Sequence, residues 1–179
     1  NCLKKLGVKI VQKNNLCTIE GRGLNGFIYK KNLTLNAGNS GTLGRLILSL
    51  LIKSPYKIKI VGDKSLSKRD FSRVIEPLKK FGINFYPPQK FKLPIYIKGS
   101  NYLTPINYLE DKGSSQCKSS VMLAALLTPG ETQLKCKPSR NHTELLFKYL
   151  KIPVKIKKMK HFDIIKVQGK QNFKSFSYN

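Results

Sequence analysis

The chain has 179 residues, with 34 Lys+Arg against 9 Asp+Glu, a formal net charge of +25 and a pI near 10.1. Hydrophobic residues make up 40% and aromatics 9%, enough to build a core, which excludes a wholly disordered basic tail. The longest unbroken apolar run, Val121 to Leu127, falls far short of the roughly 18 or more residues of a membrane span.

Cys2, Cys17, Cys117 and Cys136 show no CxxC spacing and only two histidines accompany them, so neither a zinc site nor a disulfide framework is expected. Reduced, buried thiols are expected instead. The chain opens on Asn1, Cys2 to Leu6 reads as the last turn of a helix, and no leader pattern precedes it, so it reads as an internal piece of a longer protein.

The first clear helix follows Gly38, with Leu43, Leu46, Ile47, Leu50 and Leu51 on one face. A strand at Tyr56 to Val61 comes next. Ser67-Lys68-Arg69-Asp70 then reads as a capping box, Ser at the N-cap and an acid three residues on, before a helix with Phe71, Val74, Ile75, Leu78 and Phe81 on its apolar face. Gly82 ends that helix, and short strands at Ile83 to Tyr86 and Leu93 to Lys98 flank the Pro87-Pro88 turn. The order is βαβαββ.

From Pro105 the order begins again. A strand at Ile106 to Leu109 precedes a helix capped by Ser114 or Ser115 and running to Leu127, and a strand at Thr132 to Lys137 follows Pro129-Gly130. Asn141-His142-Thr143-Glu144 opens another helix with a capping pattern, and strands at Pro153 to Ile156 and Phe162 to Val167 close the unit. The Val121 to Leu127 stretch is apolar all round, so its helix is expected to be enclosed on every side. Leu3-Lys4-Lys5-Leu6-Gly7-Val8 matches Leu78-Lys79-Lys80-Phe81-Gly82-Ile83, and more loosely Phe147 to Ile152, as the tail of a third copy. The expected divisions are 1–21 as the tail of a truncated first repeat, 22–100 and 101–170 as two βαβαββ repeats, and 171–179 as the start of a connection onward.

The charge makes polyanions of any kind admissible partners, nucleic acid included. Yet Tyr56 to Val61 and Val154 to Lys157 alternate Lys with apolar residues at period two, which places the lysines on solvated strand faces. The dense run Lys155 to Lys160 has no aromatic to stack on a base.

Four turns at helix starts carry the chemistry. Ala37-Gly38-Asn39-Ser40-Gly41-Thr42 opens a helix whose free N–H groups and dipole suit an anion, although Asn39 and Ser40 would serve equally as ordinary caps. Arg69 is expected in the first turn of its helix, against the dipole, where either an anion or solvent meets it. Ser114-Ser115-Gln116 brings two hydroxyls and an amide to the most buried helix, and Ser139-Arg140-Asn141-His142 repeats the hydroxyl, cation and helix-start theme.

Gly38-Asn39-Ser40-Gly41-Thr42…Arg45-Leu46, Gly62-Asp63…Ser65-Leu66…Lys68-Arg69, Ser114-Ser115-Gln116…Lys118-Ser119 and Ser139 to Glu144, in that order, resemble the 5-enolpyruvylshikimate-3-phosphate synthase family of 3-phosphoshikimate 1-carboxyvinyltransferases. The resemblance implies one lobe of an inverse α/β barrel of βαβαββ units with helices buried behind sheets. It also implies a cytoplasmic enzyme, monomeric when complete, that needs no cofactor, no membrane and no nucleic acid.

The implied substrates are shikimate 3-phosphate and phosphoenolpyruvate. Ser114, Ser115, Gln116, Ser139 and Arg140 match the shikimate 3-phosphate side. Asn39, Gly41, Arg69 and Gln116 match the phosphoenolpyruvate side, and Thr42 and Arg45 match residues that shape the pocket. The family's acid/base residues fall outside this chain, which is expected to hold no catalytic residue and to be inactive alone. Asp70 and Phe71 depart from the family's usual Pro after Arg69, and Asp70 either caps a helix or pairs with Arg69. Gly41 matches a position where a methyl group narrows the site against the inhibitor glyphosate, so a sensitive parent enzyme is implied. The alternatives are a basic nucleic-acid-binding module and a protein like the RNA 3′-phosphate cyclases, which share the architecture without these four motifs together.

Overall fold

Ile58, Ile60, Phe85, Ile95 and Ile97 are buried, while Lys59, Tyr96 and Lys98 take the opposite strand face, as period-two alternation requires. The structure, a computed structural model, describes residues 1–170, so the expected connection at 171–179 lies outside the described residues.

The chain begins with α1 (Cys2–Lys5), β1 (Lys9–Lys13) and β2 (Leu16–Glu20). It continues through β3 (Thr34–Asn36), α2 (Gly41–Leu50), β4 (Ile58–Val61), α3 (Lys64–Lys68), α4 (Ser72–Lys80), β5 (Asn84–Tyr86) and β6 (Ile95–Lys98). A third stretch holds β7 (Asn107–Glu110), α5 (Ser115–Leu127), β8 (Glu131–Cys136), α6 (His142–Tyr149), β9 (Val154–Lys158) and β10 (Asp163–Gln168).

Two four-stranded sheets result, ordered β3-β4-β6-β5 and β7-β8-β10-β9, each with one parallel pair, β3 with β4 and β7 with β8, and antiparallel pairs after it. α1, α4 and α6 end alike: Gly7, Gly82 and Lys151 follow their C-caps at φ of +86°, +94° and +55°, and an antiparallel strand pair comes next. Glycine suits that left-handed turn because it has no Cβ to clash.

One apolar core joins both sheets, with Leu48, Phe71, Phe81, Val121, Ala125, Leu134 and Ile165 among its members. α5 lies against β8 and β10 on one side and against α2 and α4 on the other, so almost all of it from Cys117 onward is buried. That agrees with its lack of a polar face.

The hairpin of β1 and β2 is different. Val11, Leu16 and Ile19 are exposed, Leu16 at 69%, and so is Cys17, which corrects the expectation of four buried thiols. Cys2, Cys117 and Cys136 are buried, and burial pushes the Cys117 thiol up to about 12.

The expected capping box at Ser67 is also corrected. Asp63 caps the short α3 by accepting from the Leu66 amide at 2.7 Å, Ser67 lies inside α3, and Arg69 is its extended C-cap. Arg69 therefore lies between two helices and does not face a helix dipole.

Candidate functional site

Parallel pairing decides which loops meet. Asn36 lies opposite Val61, and Glu110 opposite Cys136, so the loops after β3 and β4 leave one sheet together, and those after β7 and β8 leave the other together. The first two loops are tied by the Asp63 amide donating to the Gly38 carbonyl at 2.9 Å. The second two are tied by the Lys137 amide donating to the Glu110 carbonyl at 3.0 Å. All four sequence motifs ride on these loops and the helices they open.

α2 and α5 then join the two halves. Their N-caps match: Ser40 Oγ accepts from the Leu43 amide at 3.1 Å and Ser114 Oγ from the Cys117 amide at 3.2 Å. Gln116, one residue into α5, donates through Nε2 to Thr42 Oγ1 at 3.0 Å and accepts at Oε1 from Arg45 Nη1 at 2.9 Å. Deeper in, the buried hydroxyls of Ser49 and Ser120 bond each other. The two helices thus run in the same sense with their N-termini side by side, and both positive dipole ends open on one region.

Arg45 is held on three sides. Besides Gln116, its Nη2 donates to the Asp70 carbonyl at 2.9 Å, and its guanidinium lies 5.0 Å over the Phe71 ring. Burial first, then Arg69, draws the Arg45 pKa below its usual value, with Asp70 opposing and Arg73 adding to the effect. Arg69 Nη2 donates to Asn39 Oδ1 at 3.1 Å.

Gly41 is buried between the two cations. A Cβ built there would stand 3.1 Å from Arg45 Nη1 and 3.1 Å from Arg69 Nη1. Asp70 neither pairs with Arg69 nor belongs to a capping box: its carboxylate accepts from the Ser72 amide and hydroxyl at the start of α4. Phe71, the other departure, is buried against Gly44, whose Cβ would stand 3.3 Å from the ring.

A cleft of about 280 Å³ lies here, lined by Arg45, Asp70, Arg73, Val74, Ser114 and Gln116. Sequence reading missed Arg73. It occupies the second position of α4, so the argument of a cation facing a helix dipole, made for Arg69, belongs to Arg73. Arg73 makes no hydrogen bond or ion pair among the described residues. Two guanidiniums, Arg45 and Arg73, thus line a cleft whose lining holds one carboxylate, already engaged by Ser72, and the arrangement suits a phosphate or carboxylate; Arg69, Asn39 and Gly41 lie outside that lining.

Ser115 opens α5 beside Ser114. Ser139 and Arg140 lie on the neighbouring loop; Arg140 is exposed, while Ser139 Oγ is buried with no partner among the described residues. Asn141 stands at the N-cap of α6 but its side chain makes no capping bond, which corrects the expected capping pattern. Glu144 is instead taken by Lys118 Nζ at 2.6 Å, and Thr143 by Ser119 at 2.6 Å. Among the described residues no cluster of His, Cys, Asp and Glu could hold a metal ion. No helix there is long and apolar enough to cross a membrane.

Comparison with known proteins identifies the family of the chain as a whole. The profile of EPSP synthase (3-phosphoshikimate 1-carboxyvinyltransferase) matches residues 1–179. A 3-phosphoshikimate 1-carboxyvinyltransferase of Streptococcus pyogenes serotype M4 is 42% identical over 143 residues, 79% of this chain and 33% of its own length, and that of serotype M49 matches equally. The EPSP synthase structure from Acinetobacter baumannii superposes with a TM-score of 0.84 at 32% identity, over 96% of this chain and 38% of that one. The chain spans about a third of the length of these curated relatives, and it belongs to the EPSP synthase family.

Proposed function

We propose that this chain is the substrate-binding lobe of an enzyme that transfers the carboxyvinyl group of phosphoenolpyruvate to the 5-hydroxyl of shikimate 3-phosphate, releasing phosphate, in the shikimate route to chorismate and the aromatic amino acids. Its likeness to enzymes of that name supports the reaction. The observation that carries the reading is the placement of Gly41 between the Arg45 and Arg69 guanidiniums, with Gln116 bridging α2 and α5.

In this reading Arg69, Asn39 and the backbone at Gly41 receive phosphoenolpyruvate, whose negative groups pair with the Arg69 guanidinium. Gln116 reaches both substrates. Ser114, Ser115, Ser139 and Arg140 hold shikimate 3-phosphate, while Thr42 and Arg45 fix the Gln116 carboxamide. The reaction is an addition and elimination. The vinyl CH2 of phosphoenolpyruvate takes a proton, the 5-hydroxyl oxygen bonds to the adjacent carbon as its own proton leaves, and a tetrahedral intermediate forms. Its carbon–oxygen bond to phosphate then breaks and the new methyl group returns a proton, which restores the double bond.

The residues here bind and orient; the proton transfers belong to groups outside this chain. The two like-ordered sheets are two βαβαββ repeats at 22–100 and 101–170 of an inverse α/β barrel lobe, and residues 1–21 are the tail of another. The rest of the parent chain supplies the facing lobe, and the complete protein is a cytoplasmic monomer.

The test is phosphate release by the parent enzyme, made from the extended reading frame. Release that requires both substrates, and that falls on Arg69→Ala or Gln116→Ala, is expected; release indifferent to shikimate 3-phosphate would refute the assignment.

A further inference from the structure

We propose that Lys118 is a positioning residue for the Ser139–Arg140 turn, acting through its ion pair with Glu144 and its hydrogen bond to the Ser139 carbonyl. The proposal rests on the reading that this turn receives the shikimate phosphate.

Lys118 is 0% exposed and Glu144 3%, with Nζ 2.6 Å from Oε1. A pair so deep carries a large desolvation penalty, and apolar residues of similar volume often stabilise a fold as well or better. Stability alone is therefore a poor account of it, whereas geometry offers a better one. Nζ sits at the N-terminal turn of α5, Glu144 at the N-terminal turn of α6, and the same Nζ donates to the Ser139 carbonyl at 3.4 Å. The Ser119 to Thr143 hydroxyl bond lies beside it.

With no side-chain cap from Asn141, this ion pair and the Ser119 to Thr143 bond tie the start of α6 to α5. They fix the backbone of the Ser139 turn relative to the Ser114–Ser115 turn, leaving the Ser139 hydroxyl and the exposed Arg140 side chain as the parts free to turn toward a ligand. Two atoms mark the turn as unfinished: Ser139 Oγ and Glu144 Oε2 are both buried without a partner among the described residues. An unpaired buried hydroxyl gains when rotation brings it to a phosphate oxygen.

The test replaces the pair by apolar side chains, Lys118→Met with Glu144→Leu, in the 179-residue chain. The variant is expected to unfold at or above the wild-type temperature, yet to lose about tenfold or more in shikimate 3-phosphate affinity. Amides of Ser139 to Asn141 should exchange faster with solvent, while the resonances of Gly41, Thr42 and Gln116 stay in place. Should that variant fail to fold, Glu144→Gln, which keeps the side-chain shape, is expected to weaken binding in the same way with the same unmoved resonances. Wild-type affinity together with unchanged exchange at Ser139 to Asn141 overturns the proposal, and so does a disturbance spread equally to Gly41 and Gln116. If the wild-type chain itself ignores shikimate 3-phosphate, the functional reading fails, and the exchange at Ser139 to Asn141 decides alone whether Lys118 positions the turn.

Discussion

The guanidinium of Arg45 donates to Gln116, 71 residues further along the chain, at 2.9 Å, and this bond joins the N-terminal turns of α2 and α5. Gln116 is also bound to Thr42, so Gln116→Ala removes two side-chain hydrogen bonds at once. At roughly 0.5–1.5 kcal/mol each, the expected loss is about 1–3 kcal/mol in urea unfolding, with Arg45→Ala adding less in the Gln116→Ala background than alone.

Gly41 and Gly44 differ in what surrounds them. A Cβ at Gly41 meets the guanidinium ends of Arg45 and Arg69, with Leu66 farther off at 3.9 Å, whereas one at Gly44 presses the packed ring of Phe71. Gly41→Ala is expected to lose up to about 1 kcal/mol, the worth of the Arg45 to Gln116 bond it presses, and Gly44→Ala to lose about 1–3 kcal/mol, by thermal or urea unfolding. Because Gly41→Ala shifts both guanidiniums, the parent enzyme carrying it is expected to lose glyphosate affinity more than phosphoenolpyruvate affinity. Equal inhibition of wild type and variant would show that Gly41 does not control the pocket.

Much of this site was legible in the chain. Of the cap candidates Asn39 and Ser40, and Ser114 and Ser115, Ser40 and Ser114 make the capping bonds, Gly82 marks a helix end, and the four motifs lie on the loops after parallel strands. The failures have different causes, one local and one tertiary. Ser67 and Asp70 satisfy a local capping pattern, but Asp63 had already opened a five-residue helix, and its Asp cap went unrecognised. Asn141 and Glu144 have the right spacing for a cap, yet Lys118, 26 residues upstream, captures the carboxylate. Local spacing cannot show a tertiary competitor. Arg73 was visible as a cation early in a helix once the start of α4 at Ser72 was fixed.

Thiol chemistry separates the cysteines. Cys17 is exposed on β2, while burial pushes Cys117 up to about 12 and Cys136 up to about 11. Since the thiolate is the reactive form, a maleimide or disulfide reagent at mildly alkaline pH is expected to modify Cys17 first in the folded chain, with Cys117 and Cys136 reacting only on unfolding. Rapid modification of Cys117 in the native state would contradict the packing of α5.

Acid should weaken the start of α4. Burial alone would raise the Asp70 pKa, but the Ser72 hydroxyl and amide, the Phe71 amide and the Arg45 charge outweigh it and hold the carboxyl below its ordinary value. With the folded pKa depressed, the unfolded chain binds the proton more readily. The contribution is present above the ordinary carboxylate pKa, near 3.8, and is lost as pH falls through the lower folded value. Asp70→Asn is expected to be less stable than wild type near neutrality and to converge with it in strong acid, measured by urea unfolding at both ends of that range.

The shikimate 3-phosphate site proposed at these turns is tested most directly by a titration of the isotope-labelled 179-residue chain with that ligand, followed by nuclear magnetic resonance. Saturable shifts at Ser114, Ser115, Gln116, Ser139 and Arg140, with no turnover on adding phosphoenolpyruvate, are the expected result. A flat titration up to millimolar ligand, or shifts confined to the lysine-bearing strand faces of β4 and β9, would contradict it.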